Sequence, residues 1–238
     1  MQADAPTAYL FKLWPWIENN IKRIAWGAGI LVVAGFVIAF YFWSRNQKEI
    51  AAGDAFTRVS LNARSETNDE QLVQAYLKVA EDYTGTAAAG RALLQAGAML
   101  FEGGHYTNAQ SQFQRFLDVY PDSSFAPQAS LGVAACLEAE GQTNAAAKAY
   151  QTTISQPSDD SVAVQAKFSL ARIDDAQGRL NDAYALYQEV AGSDPYGTLG
   201  REASLRASEL KLSTRPATAN PAPASHPFML STNSAAAK

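Results

Sequence analysis

The chain repeats itself every 37 residues, and that period excludes most folds before any single element is assigned. Ala92, Ala129, Ala166 and Ala203 stand at this interval, and Leu94, Leu131, Phe168 and Leu205 follow as an apolar column. Gly97, Ala134, Ala171 and Ser208 are all small, and Gly104, Gly141 and Gly178 recur between the apolar runs. Ala109, Ala146 and Ala183 come next, each with a ring four residues later at Phe113, Tyr150 and Tyr187. Tyr76 extends the aromatic row one period upstream. Pro121 and Pro195 are two periods apart, and Pro157 lies one residue out of register between them.

These columns describe a helical hairpin that stacks on copies of itself. Small residues let helices approach closely, and large apolar ones at i+4 fill the groove beside them. Glycine between the helices allows a tight left-handed turn, and proline after the second helix stops it for want of an amide hydrogen. Thr107 followed by Gln110 reads as a capping box opening a second helix. One hairpin cannot bury its own apolar face, so the copies are expected to form a solenoid. The fold class expected is all-α, with hairpins at residues 90–121, 127–158 and 164–195. A degenerate first hairpin spans 50–84, and a terminal capping helix spans 199–212.

Upstream of the repeats, residues 24–43 read IAWGAGILVVAGFVIAFYFW, without a charge and bracketed by Arg23 and Arg45. At helical rise this run reaches about 30 Å, the thickness of a bilayer's hydrocarbon core. Trp26 near one end and Tyr41, Phe42 and Trp43 at the other sit where aromatic rings favour the headgroup boundary. A cleaved signal peptide would be shorter and followed by small residues, whereas FYFWSRNQ is bulky, so the transmembrane helix is expected to persist. Residues 1–23 form a juxtamembrane head, read either as an interfacial segment or as an unstructured tail. Lys12, Lys22, Arg23 and the amino terminus precede the span, against Arg45 and Lys48 after it. That bias places the N-terminus inside and residues 44–212 outside, with a cytoplasmic repeat domain as the alternative. Within the span, Gly35 and Ala39 make a small-xxx-small pair that suits either a helix contact or lipid.

The order small, glycine turn, alanine, aromatic, proline resembles the tetratricopeptide repeat, lengthened here by three residues per link. Asp174 departs from it, in a column held by Leu100 and Leu137, and so does Ser158, where proline is expected. A Trp-containing basic head, one span, the FYFW exit and such hairpins together resemble the YfgM-type family. The resemblance implies an ancillary subunit of the bacterial secretion translocon, anchored in the inner membrane with periplasmic repeats. YPDSSFAPQA (120–129) is also similar to links in periplasmic repeat proteins of envelope assembly and division.

The chain beyond the span carries 16 Lys+Arg against 21 Asp+Glu, a net of −5, which argues against nucleic acid. Cys136 is the single cysteine, so no intrachain disulfide forms, and its alanine-rich helix makes it a packed small hydrophobe. His105 and His226 lack partners at ligand spacing, and neither a phosphate loop nor a nucleophile elbow is present. Asp159–Asp160 and Asp174–Asp175 are sequence neighbours that do not face one another on a helix. No enzyme, metal, cofactor or small-molecule substrate is expected. Residues 213–238 are rich in Pro, Ala and Ser and read as a disordered tail, with Phe228, Met229 and Leu230 as an apolar island.

Binding is what remains for such a solenoid, on the concave face lined by each first helix. By register that face carries Arg91, Gln128 and Gln165 in one column. A second column holds Ala98, Ala135 and Arg172, and a third holds Phe101, Glu138 and Asp175. The mix suits an extended peptide or an unfolded segment, or else is an ordinary solvated face. The basic clamp with which some tetratricopeptide domains grip chaperone C-termini is absent, since its columns hold Leu94, Ala98, Ala135, Phe168 and Arg172. The expected function is a membrane-anchored protein-binding module assisting translocation or chaperoning beside the secretion translocon. Its partners are then the translocon, exported or unfolded chains and periplasmic chaperones. The alternative is a scaffold tying the inner membrane to envelope assembly or division machinery.

Overall fold

Alanine-rich, glycine-punctuated sequence with apolar residues at helical spacing gives helices and little else. A computed structural model describes the backbone of residues 5–63 and 69–213, with side chains from residue 19 onward except residue 24. The side chains expected at the membrane interface before residue 19, and the tail from residue 214 with His226 and Phe228–Leu230, lie outside the described residues. Among the described residues α-helices follow one another without a strand. They are α1 (Ala5–Asn62), α2 (Asp69–Asp82), α3 (Ala87–Glu102), α4 (Tyr106–Val119), α5 (Ala126–Ala139), α6 (Thr143–Ser155), α7 (Asp160–Ala176), α8 (Leu180–Ser193) and α9 (Thr198–Ser213). The chain divides into two bodies, residues 1–149 and 150–238, with the boundary inside α6.

In the N-terminal body the long helix α1 continues through positions 23/24 and 43/44 without a break. Its last turns make the first helix of the degenerate hairpin, and α2 is the second. Phe56 meets Tyr76 at a ring separation of 5.6 Å, and the Tyr76 hydroxyl donates to Ser60 Oγ at 3.2 Å. α1 also packs on α3, and α3 in turn on α4 and α5. The core here gathers Leu72, Tyr76, Val79, Leu93, Phe116 and Ala129.

The glycine turns form one repeated device. Gly104, Gly141 and Gly178 have φ of 78°, 75° and 76°, left-handed values open to glycine at little cost. Each donates its N–H three residues back, to Phe101 O, Glu138 O and Asp175 O. The next residue donates five back, from His105 to Leu100 O, Gln142 to Leu137 O and Arg179 to Asp174 O, at 2.8, 2.9 and 2.8 Å. This is the Schellman pattern, which satisfies the last carbonyls of each first helix. In such turns an apolar contact commonly joins these last two positions. At Asp174 and Arg179 an ion pair takes its place: Asp174 is 5% exposed, and Arg179 Nε donates to its carboxylate at 3.1 Å. The acid in a leucine column is thereby paired rather than stranded.

The capping box is corrected by the structure. α4 begins at Tyr106 with His105 at the N-cap and no side-chain cap, because the Schellman turn fixes the entry two residues early. Thr107 lies inside the helix and donates instead to Glu140 Oε1 at 2.7 Å, tying α4 to the end of α5. The offset proline follows the helix ends. α4 and α8 have 14 residues and α6 has 13, so Pro121, Pro157 and Pro195 each stand two residues past the last turn.

α3 receives a cap from a distance as well as locally. Thr86 Oγ1 accepts from Ala89 N at 3.2 Å, and Glu49 of α1 accepts from Ala87 N at 2.8 Å. A carboxylate at a helix N-terminus satisfies an orphan donor and complements the helix dipole. Glu49→Ala is expected to lower stability by about 1 kcal/mol, measured by chemical denaturation of the full chain. An unchanged midpoint would mean that the bond contributes nothing.

In the C-terminal body α7 packs on α8, and α8 on α9. Phe168 meets Tyr187 edge-on at 5.7 Å within a core that includes Val164, Val190, Ala203 and Leu210. Lys167 Nζ pairs with Glu189 at 2.8 Å on the partly exposed side of the same helix pair.

Candidate functional site

The candidate columns sit on first helices, whose inner sides are spent on the core. In α3, Ala92, Leu93 and Ala96 are buried, which turns Arg91 outward as an exposed side chain. In α5 the buried Ala129, Ala134 and Cys136 leave Gln128 exposed at the equivalent position. α3 and α5 touch, so Arg91 and Gln128 belong to neighbouring helices at the same register. Phe101 is half-buried and packs against Tyr106 at 5.3 Å, so part of its ring serves the fold. Glu138 and Ala135 on α5, like Ala98 on α3, are half-buried. In the C-terminal body α7 carries exposed Gln165 and Arg172 and half-buried Asp175. The charge of Asp175 acts on the Tyr187 hydroxyl, whose pKa is raised mainly by burial and further by that carboxylate.

A cleft of about 290 Å³ between α8 and α9 has a mixed lining, with Ala191 and Ala207 beside Tyr184, Gln188, Ser204 and Lys211. Among the described residues no group of three or more His, Cys, Asp or Glu is arranged to hold a metal. Cys136 is fully buried, and burial with the nearby Glu140 charge pushes its thiol up to about 11 from an ordinary 9.0. A protonated, enclosed thiol is a poor nucleophile. Cys136 is expected to resist maleimide at pH 8 in the folded chain and to react fully once the chain is unfolded. Because the folded thiol holds its proton longer than the unfolded one, its stabilising contribution is present below pH 9.0 and declines as pH rises toward about 11. Cys136→Ala flattens that part of an alkaline stability profile; an unchanged profile contradicts the assignment.

The sequence did not reveal the residues that hold the columns in place. Phe113 is 6% exposed and lies where Gly97 of α3 and Gly132 of α5 lack side chains. A Cβ built on either glycine would come within 2.8 and 2.7 Å of its ring. Gly97 belongs to the small column, but Gly132 has Gln95 and Ser169 at its equivalents and carries no periodic signal. The Tyr120 hydroxyl accepts from Gly85 N at 2.9 Å, joining two links 35 residues apart. Its pKa is raised, chiefly by burial, with the Glu49 charge adding and the Gly85 donor and Arg115 opposing.

α1 presents a different surface. Its apolar window has a mean hydropathy of 2.2, and none of it is buried. Trp26, Leu31, Phe36 and Phe42 are 64–77% exposed. It is the one helix among the described residues long and apolar enough to cross a membrane.

Repeated helical hairpins that expose Arg91, Gln128, Gln165 and Arg172 on their first helices define an interaction module that binds proteins. The chain belongs to the tetratricopeptide repeat-like domain family, whose model matches residues 14–118 and again 104–199. No curated protein sequence matches the chain. Among solved structures it is similar to a MamA RS-1 double mutant designated ArsTM, at 17% identity and TM-score 0.51, over 69% of this chain and 97% of that one. It is also similar to MamA from residue 41 to the end, from Desulfovibrio magneticus RS-1, at 17% identity and TM-score 0.49, over 69% and 98%. At this identity the first likeness establishes the fold.

Proposed function

We propose that this is a single-pass inner-membrane protein whose periplasmic tetratricopeptide hairpins bind extended protein segments beside the secretion translocon. In this reading residues 1–23 are a cytoplasmic juxtamembrane head, 24–43 the span, 44–212 the binding domain and 213–238 a tail. The observation that carries it is α1, in which an uncovered apolar run passes unbroken into the first hairpin of a protein-binding repeat. A soluble repeat protein would have no use for such a surface, because exposed contiguous apolar area mediates contact with lipid or a partner. Basic flanks richer before the span than after it support the orientation. The resemblance of the head, span and FYFW exit to YfgM-type subunits supports the translocon as neighbour.

Arg91, Gln128 and Gln165, with Arg172, Phe101, Glu138 and Asp175, are the residues proposed to meet the client. Amides and arginine bond the backbone carbonyls of an extended chain whatever its sequence, which suits exported segments before they fold. Protease added to spheroplasts with an intact inner membrane tests the arrangement. Digestion of the repeats from outside is the expected result. Protection until lysis would put the repeats in the cytoplasm and remove the translocon-side role.

A further inference from the structure

Two long-range hydrogen bonds give the N-terminal body a defined edge toward the membrane. α1 leaves the span at Trp43 and, six residues on, Glu49 bonds Ala87 N at the start of α3. Six helical residues rise about 9 Å. α1 continues outward, α2 returns alongside it through Tyr76, and α3 starts outward again from the level of Glu49. α4 returns in turn, since Tyr120 just past its end bonds Gly85 N. The links 83–86 and 120–125 therefore lie at the near end of the body, and the turns at Gly104 and Gly141 at the far end. The 16 residues of α3 separate the two ends by about 24 Å.

We propose that this link edge rests on the zwitterionic phospholipid headgroups around the span, so that the hairpins of the N-terminal body stand on the bilayer with the turns at Gly104 and Gly141 away from it. The proposal rests on α1 crossing the membrane, as read above. A headgroup layer adds about 5–8 Å to each side of the hydrocarbon core, so an edge about 9 Å beyond Trp43 meets its outer surface. The charges fall in matching order. Exposed Arg45, two residues past Trp43, lies closest to the span, at the depth of lipid phosphate, while exposed Asp82 at the end of α2 and Asp122 on the second link lie at the level of the outer ammonium groups. Phe125 on the same edge is 41% exposed, an apolar ring of the type that surface-lying segments turn toward lipid. Its backbone N–H is turned back onto Ser123 Oγ at 3.2 Å, so the ring is presented from an ordered link.

The test uses the full chain in phosphatidylcholine nanodiscs, with an environment-sensitive fluorophore on a single introduced cysteine. The parent chain, whose Cys136 is buried, serves as the blank. Labels at Thr84→Cys and Ser124→Cys are expected to lose most of their emission when the lipids carry a nitroxide on the headgroup. Labels at Glu102→Cys and Gln142→Cys, on the far end, are expected to keep theirs. A label at Val37→Cys reports the span through quenching by an acyl-chain nitroxide. If Val37 is quenched while both ends respond alike, the edge does not rest on lipid and this proposal falls alone. If Val37 is not quenched, the anchoring reading falls and takes the proposal with it.

Discussion

Phe113→Ala is expected to destabilise the protein by about 3–5 kcal/mol, as removal of a large buried aromatic ring does. The ring fills the space left by two glycines on facing helices, Gly97 and Gly132, and is 6% exposed. Neither glycine has a side chain able to collapse into the void, so the cavity persists and its cost comes in full. The reverse change is informative too. Gly132→Ala puts a methyl group within 2.7 Å of the same ring, and overpacking of that kind costs about 1–3 kcal/mol. Chemical denaturation followed by far-UV circular dichroism reads both variants. A loss under about 1 kcal/mol for Phe113→Ala would contradict the knob-and-glycine packing.

The second large effect is expected at Gly200, near the start of α9. A Cβ there would lie 1.7 Å from the Asp194 carbonyl oxygen and 2.5 Å from its carbon. Gly200 N–H donates to Asp194 Oδ2 at 3.3 Å, so the link from α8 folds directly over the glycine. Backbone cannot rotate aside as a ring can. Gly200→Ala therefore exceeds ordinary overpacking, at about 3 kcal/mol or more, and undocks α9 from α8. Gly192 supplies the control: nothing lies within 4 Å of a Cβ there, and it sits in the last turn of α8. Gly192→Ala is expected to be neutral or stabilising by up to about 1 kcal/mol. Thermal unfolding of the two variants separates steric conflict from a general intolerance of alanine, and equal midpoints would refute the clash.

Features written once per repeat were legible in the sequence. The turn glycines, the alanine column and the aromatic row all appear where the 37-residue period places them, because each has the same neighbours in every hairpin. Pairwise solutions were not legible. Glu49 caps a helix 38 residues away, Gly132 yields to a ring from another hairpin, and Arg179 reconciles Asp174 with a leucine column. None of these leaves a periodic trace, since each depends on two residues meeting in space. The capping box at Thr107 was misread for a related reason. The turn before it sets where the helix begins, and that turn is organised by carbonyls rather than by the threonine. For the candidate face the repeat register put Arg91, Gln128, Gln165 and Arg172 at positions where the structure exposes them, whereas Phe101, Glu138 and Asp175 are half-buried and Phe101 is partly committed to Tyr106.

The central claim is that an anchored repeat domain holds protein chains through its first-helix columns. Photo-crosslinking in intact cells tests it most directly, with a photoreactive phenylalanine placed at Gln128 or Gln165 and, for comparison, at the exposed Gln151 on the second helix α6. The account predicts protein adducts from Gln128 and Gln165, weakened by Arg91→Ala or Arg172→Ala, and few from Gln151. Adducts from Gln151 alone, or equal labelling from all three positions, would contradict it.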